Sequence, residues 1–119
     1  MKQRFFELAR TVSEKSEHPQ HKIGAVVVQK NRAVSIGFNQ LKTHSKSLHE
    51  WKSIHAEFHA ILGVPKRDLE GATIYVYREH KTGQPAMSRP CPSCLKTLRL
   101  AGIKKVCYTD YGSFKEEIL

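Results

Sequence analysis

At 119 residues the chain is sized for one domain spanning residues 1–119, long enough to bury about two-thirds of its unfolded surface. Lys and Arg number 20 against 11 Asp and Glu, and the resulting net charge of +9 favours phosphate-bearing partners, nucleotides or nucleic acid, while saying nothing of fold. Three cysteines argue against a disulfide-built scaffold and for a reducing compartment, and the longest apolar run, Ile23 to Val28, is far too short to span a membrane.

Phe5, Leu8, Ala9 and Val12 fall at helical spacing and predict an amphipathic helix over residues 2–16. Glu7 and Arg10 deny this stretch the apolar core of a signal peptide, so a cytoplasmic protein is expected. Pro19 closes the helix. The near-continuous apolar run Ile23–Gln29 predicts a central buried strand. Lys30-Asn31 makes a turn, and residues 33–38 alternate, with Val34, Ile36 and Phe38 on one face, so the two strands form a hairpin. Residues 40–52 are polar and basic, contain His44, His49 and Trp51, and read as a loop. Ser53 is a candidate N-cap for a helix running to Leu62, stopped by Gly63 and Pro65, which puts His55 in the first turn. Residues 73–77 predict a third strand and residues 79–89 a second basic loop. A helix follows over residues 92–101, with Cys91 at its N-cap, Pro92 in its first turn and Gly102 at its end. Its positive end is expected to favour thiolates. Residues 105–109 predict a fourth strand, and residues 112–119 a short terminal helix. This order of elements implies a three-layer α/β/α domain with a mixed sheet, an N-terminal hairpin and parallel pairing after it.

Two short stretches carry chemistry: His55-Ala56-Glu57 and Pro90-Cys91-Pro92-Ser93-Cys94. One imidazole and two thiols are zinc ligand types, and a catalytic zinc keeps its fourth position for water. Bound zinc lowers the pKa of that water to about 7, so hydroxide is available at neutral pH. Glu57 is then free to move protons instead of binding metal. Other readings of the same residues are a redox dithiol at Cys91 and Cys94 and a structural zinc site, which needs a fourth ligand; Cys107 is the only other cysteine. His55 and His59 do not complete a H-E-x-x-H metalloprotease motif, because Glu57 stands third in the five residues instead of second.

The pattern H-x-E…P-C-x-x-C resembles the zinc-dependent cytidine and deoxycytidylate deaminase superfamily, over roughly residues 23–111. The His at its first position is similar to the branch of deoxycytidylate, tRNA adenosine and polynucleotide cytidine deaminases. The resemblance implies a Zn2+ cofactor on His55, Cys91 and Cys94, Glu57 as the catalytic proton shuttle, Asn39 against the sugar, and the Ala56 N–H on the pyrimidine carbonyl. Trp51, Phe58 and Tyr111 are candidates for a wall against the base, with a core place expected for Phe58. Arg89 stands beside the zinc motif and, with Arg78, Lys81 and Lys96 nearby in sequence, is a candidate phosphate ligand. The family's sheet has five strands. Four are legible here, so an open edge covered by another copy of the chain, hence a homo-oligomer, is expected. Three functional readings follow: a deaminase of a free cytosine nucleotide of the deoxycytidylate type, a deaminase of cytosine or adenine in single-stranded DNA or RNA, and a non-catalytic zinc-stabilised binding module.

Overall fold

The computed structural model describes residues 2–16, 22–40, 55–79 and 83–119. Their elements in chain order are α1 (Gln3–Ser13), β1 (Ile23–Gln29), β2 (Arg32–Phe38), α2 (Ala56–Ile61), α3 (Lys66–Leu69), β3 (Thr73–Arg78), α4 (Pro92–Ala101), β4 (Lys105–Asp110) and β5 (Ser113–Ile118). The strands form one sheet in the order β2-β1-β3-β4-β5. β1 runs antiparallel to both β2 and β3, β3 and β4 are parallel, and β4 and β5 are antiparallel. The expected parallel pairing after the hairpin is thus confined to β3 and β4.

The alternation of side chains along buried strands divides the core. Val26, Val28, Tyr75, Tyr77 and Cys107 face α1, where they meet Phe5, Phe6, Ala9 and Val12. Ala25, Val27, Ile74, Val76 and Val106 face the other way, onto Ala56 and Ala60 of α2 and Leu95 and Leu98 of α4. The three layers are therefore α1, the sheet, and α2 with α4. Among the described residues no helix is long and apolar enough to cross a membrane.

One expectation about the sheet is corrected. Residues 112–119 are not a helix: they supply the fifth strand, β5. Tyr111 and Gly112 take φ values of 44° and 92°, the two left-handed positions of a tight hairpin turn, and send the chain straight back along β4. Phe114 packs on Phe6 with ring centroids 4.5 Å apart. Lys115 and Glu116 face outward and pair with Asp110 (3.2 Å) and Lys105 (3.5 Å) on β4, the charged coat that protects an edge strand. The edge that four strands would leave open is therefore filled by the chain itself, and β5 becomes the edge of the sheet. β2 forms the opposite edge, and its Val34 and Ile36 are 36% and 43% exposed. Of the strand's apolar residues only Phe38 joins the cluster under α1, because the helix lies over the centre of the sheet.

On its other face β2 carries α2 at very short range. A Cβ on Gly37 would lie 2.3 Å from the Ala60 nitrogen and 2.5 Å from the Ala56 carbonyl oxygen, both backbone atoms that cannot move aside. Gly37→Ala is therefore expected to lower unfolding free energy by about 3 kcal/mol, the upper end for overpacking. An unchanged urea midpoint would contradict this close approach.

Candidate active site

α2 begins at Ala56, with His55 in the N-cap position in extended geometry (φ −69°, ψ 147°). His55 thus precedes the first turn expected to contain it, and Ser53, the proposed cap, lies outside the described residues. α4 begins as its sequence predicts. Cys91 caps it, its sulfur accepting from Cys94 N–H at 3.5 Å, Pro92 follows, and Gly102 in left-handed geometry ends it. Both helices lie on the same face of the sheet, and their N-terminal ends meet.

This meeting gathers the three ligand side chains. His55 Nδ1 lies 3.1 Å from Cys94 Sγ and 3.9 Å from Cys91 Sγ, and ligand atoms of all three residues lie within 4.8 Å of one another. A zinc tetrahedron with bonds of about 2.0–2.3 Å has edges of roughly 3.5–3.8 Å, so the donor set fits the ion in both chemistry and size. Cys107 is fully buried on the opposite, α1 face of the sheet and is no fourth ligand. His59 is also turned elsewhere, its Nδ1 accepting from Phe38 N–H at 3.1 Å. His44 and His49 lie outside the described residues.

Glu57 is 5% exposed, with its carboxylate near His55 and the Cys94 thiol. Burial pushes its pKa up, with hydrogen bonds and the nearby His55 pulling in the opposite direction. The Cys94 thiol is pushed up by burial and next by the Glu57 charge. Burial and the Glu57 charge thus oppose the thiolate that the helix end favours at Cys94, and a cation between the sulfurs would draw off its proton.

Beside the cluster opens a cavity of about 360 Å³, whose lining includes His55, Glu57, Cys91, Asn39, Arg78 and Arg89. Asn39 is buried, with its Oδ1 accepting from Ile23 N–H at 2.9 Å, which ties the end of the hairpin to the cavity wall. Arg89 lines the cavity, but its Nε and one terminal nitrogen donate to the two Glu117 oxygens at 2.6 and 3.2 Å. Ala56 is buried at the first helical position, where backbone N–H groups have no intrahelical acceptor.

Two candidates for the base wall are corrected and a third is out of view. Tyr111 is 81% exposed in the β4–β5 turn and does not line the cavity, because the chain reverses there instead of passing over the site. Phe58 is 45% exposed on α2, not in the core. Trp51 lies outside the described residues. Three residues bearing on the site were not anticipated: Met87 and Ser88, which line the cavity from what reads as plain loop, and Glu117, the partner of Arg89 from an unexpected strand.

With this geometry in hand, likeness to known proteins is informative. Residues 1–110 match the family model described as the cytidine and deoxycytidylate deaminase zinc-binding region. A protein of Aliivibrio fischeri, described as an uncharacterized deaminase in the luxG 3′ region, is 37% identical over 111 residues, covering 87% of this chain and 68% of that protein. The deoxycytidylate deaminase of Mycobacterium phage D29 is 27% identical over 125 residues, covering 87% and 90%. Among solved structures, a cytidine deaminase from Burkholderia pseudomallei superposes with a TM-score of 0.68 at 22% identity, covering 99% of this chain and 93% of that one, a likeness of fold.

Proposed function

The chain belongs to the cytidine and deoxycytidylate deaminase family, a zinc-type deaminase, and from that premise we propose that it converts a cytosine nucleotide, deoxycytidylate by preference, to the uracil nucleotide with release of ammonia. The observation that carries this reading is the gathering of His55, Cys91 and Cys94 beside a buried Glu57 at one cavity. Relatives named deoxycytidylate deaminase support the choice of nucleotide. So does the cavity's size, which falls at the small-ligand end of known sites.

His55, Cys91 and Cys94 would hold zinc, which supplies Lewis acidity and an acidified water at neutral pH. Glu57 would do the proton work. Its carboxylate takes a proton from the attacking water and passes it to the ring nitrogen beside the reacting carbon, then takes the remaining proton of the added oxygen and passes it to the departing amine. The new C–O bond and the broken C–N bond then leave the oxo base and ammonia. The buried position of Glu57 keeps bulk water from competing for those protons. The Ala56 N–H would hold the base carbonyl and Asn39 the sugar hydroxyl.

Arg89 would hold the phosphate with the part of its guanidinium that Glu117 leaves unengaged. The test is to incubate the zinc-loaded protein with deoxycytidylate, deoxycytidine, single-stranded DNA and RNA, and to measure ammonia. Deoxycytidylate is expected to react fastest. Arg89→Ala is expected to cut kcat/KM for the nucleotide by about 10–100-fold, the worth of a charge-assisted hydrogen bond, and to leave the nucleoside nearly unaffected. Equal rates on both, or reaction of the single strand alone, would overturn the free-nucleotide reading and put the polynucleotide one in its place.

A further inference from the structure

Residues 86–90 link β3 to the zinc motif and have no helix or strand of their own. They nevertheless carry Cys91 to a position opposite His55, a ligand that arrives from a different element. Their position must therefore be set by something other than regular structure. Two backbone hydrogen bonds contribute, Ala86 N–H to Arg78 O at 2.8 Å and Ser88 N–H to Thr109 O at 2.9 Å. The remaining ties centre on two hydroxyls.

Ser88 and Thr109 are 6% and 0% exposed. Ser88 Oγ accepts from Thr109 N–H at 2.7 Å, donates to Val76 O at 2.8 Å, and lies 2.8 Å from Thr109 Oγ1. Thr109 Oγ1 in turn donates to Ala86 O. The pair thus joins the linker to the ends of both β3 and β4, the two central parallel strands. Only Arg89 and Pro90 separate Ser88 from Cys91, and Pro90 is buried with its φ restricted by its ring. A shift at Ser88 is therefore passed to the cysteine instead of being absorbed. A buried hydroxyl pair of this kind could be mere cement for the fold. Its place just before one ligand, and far in sequence from the other, gives it a further consequence.

We propose that Ser88 and Thr109 are positioning residues for the metal: their paired hydroxyls fix the linker so that Cys91 meets His55 and Cys94 at ligand spacing, and so set zinc affinity. The inference rests on the three-ligand reading above. Groups that orient metal ligands without touching the metal typically change affinity about 10–100-fold when removed.

The experiment is competition for zinc against a chromophoric chelator, with denaturant unfolding of the same zinc-loaded samples recorded separately. Ser88→Ala and Thr109→Val are expected to lose zinc to about 10–100-fold lower chelator concentrations than the wild type. Thr109→Ser, which restores the hydroxyl, should return close to wild type. Variants that unfold more easily yet hold zinc as the wild type does would reduce the pair to cement and overturn the proposal. So would failure of both Ser88→Ala and Thr109→Val to fold with zinc, because a positioning device is dispensable to the fold. Cys94→Ala is the separate control: if it holds zinc as the wild type does, the three-ligand reading fails whatever the hydroxyl variants do.

Discussion

Glu57→Gln is expected to keep its zinc and its fold and to lose about 10⁴-fold in kcat, the top of the range for a general acid–base group. The size follows from the work assigned to one carboxyl group. It takes the two protons of the added water in turn, giving the first to the ring and the second to the leaving amine, and no other described carboxylate lines the cavity. Gln has the same shape and can still hydrogen-bond, so packing around the buried side chain is preserved and the change falls on proton transfer. Glu57 does not belong to the group of side chains within ligand distance of one another, so metal content should not move. The measurement is steady-state turnover on deoxycytidylate beside zinc content by elemental analysis. A Gln variant within about tenfold of wild type would remove Glu57 from the mechanism, and one that lost its zinc would make it a ligand.

The elements read well from the sequence are those whose pattern is local. β1 and β3 are apolar runs bounded by turn residues, and α4 has its cap, its proline and its closing glycine in line. β5 was hidden because Lys115, Glu116 and Glu117 in succession read as a solvated helix. As an edge strand it needs those charges, and only pairing with β4 reveals it. Ser53 is the better cap by type, yet α2 starts after His55, which serves the cluster instead. Tyr111 reads as a site residue because the positive φ that turns it away has no signature in a tyrosine.

The same division runs through the site. The ligands and Glu57 were legible because each pair sits at fixed spacing on one helix start, where backbone geometry translates spacing into position. Arg89 was legible as a cation but not as one already held, since Glu117 lies 28 residues away. Ser88 and Thr109 are 21 residues apart, and nothing near either signals the other. Contacts between elements are set by how the sheet is ordered, and a single sequence carries that ordering weakly.

Cys94→Ala is expected to reduce zinc from one ion per chain to a trace, and activity with it. Cys94 stands at the centre of the donor set, 3.1 Å from His55 Nδ1, with its own N–H donating to the Cys91 sulfur. Alanine leaves two protein donors, too few for a retained zinc, which takes three or four. Cys107→Ala is the matched control, since that cysteine is buried beyond the sheet and should leave zinc unchanged. Because burial and the Glu57 charge hold the Cys94 thiol protonated, zinc must displace a proton to bind. Raising pH supplies the thiolate and lowering it opposes binding, so zinc release from the wild type should grow as pH falls. Elemental analysis of the three proteins after dialysis, repeated at decreasing pH, reads both effects. Equal zinc in the Cys94 variant and the wild type would sink the assignment of this cysteine, and zinc retention indifferent to acid would show that no thiol proton is exchanged for the metal.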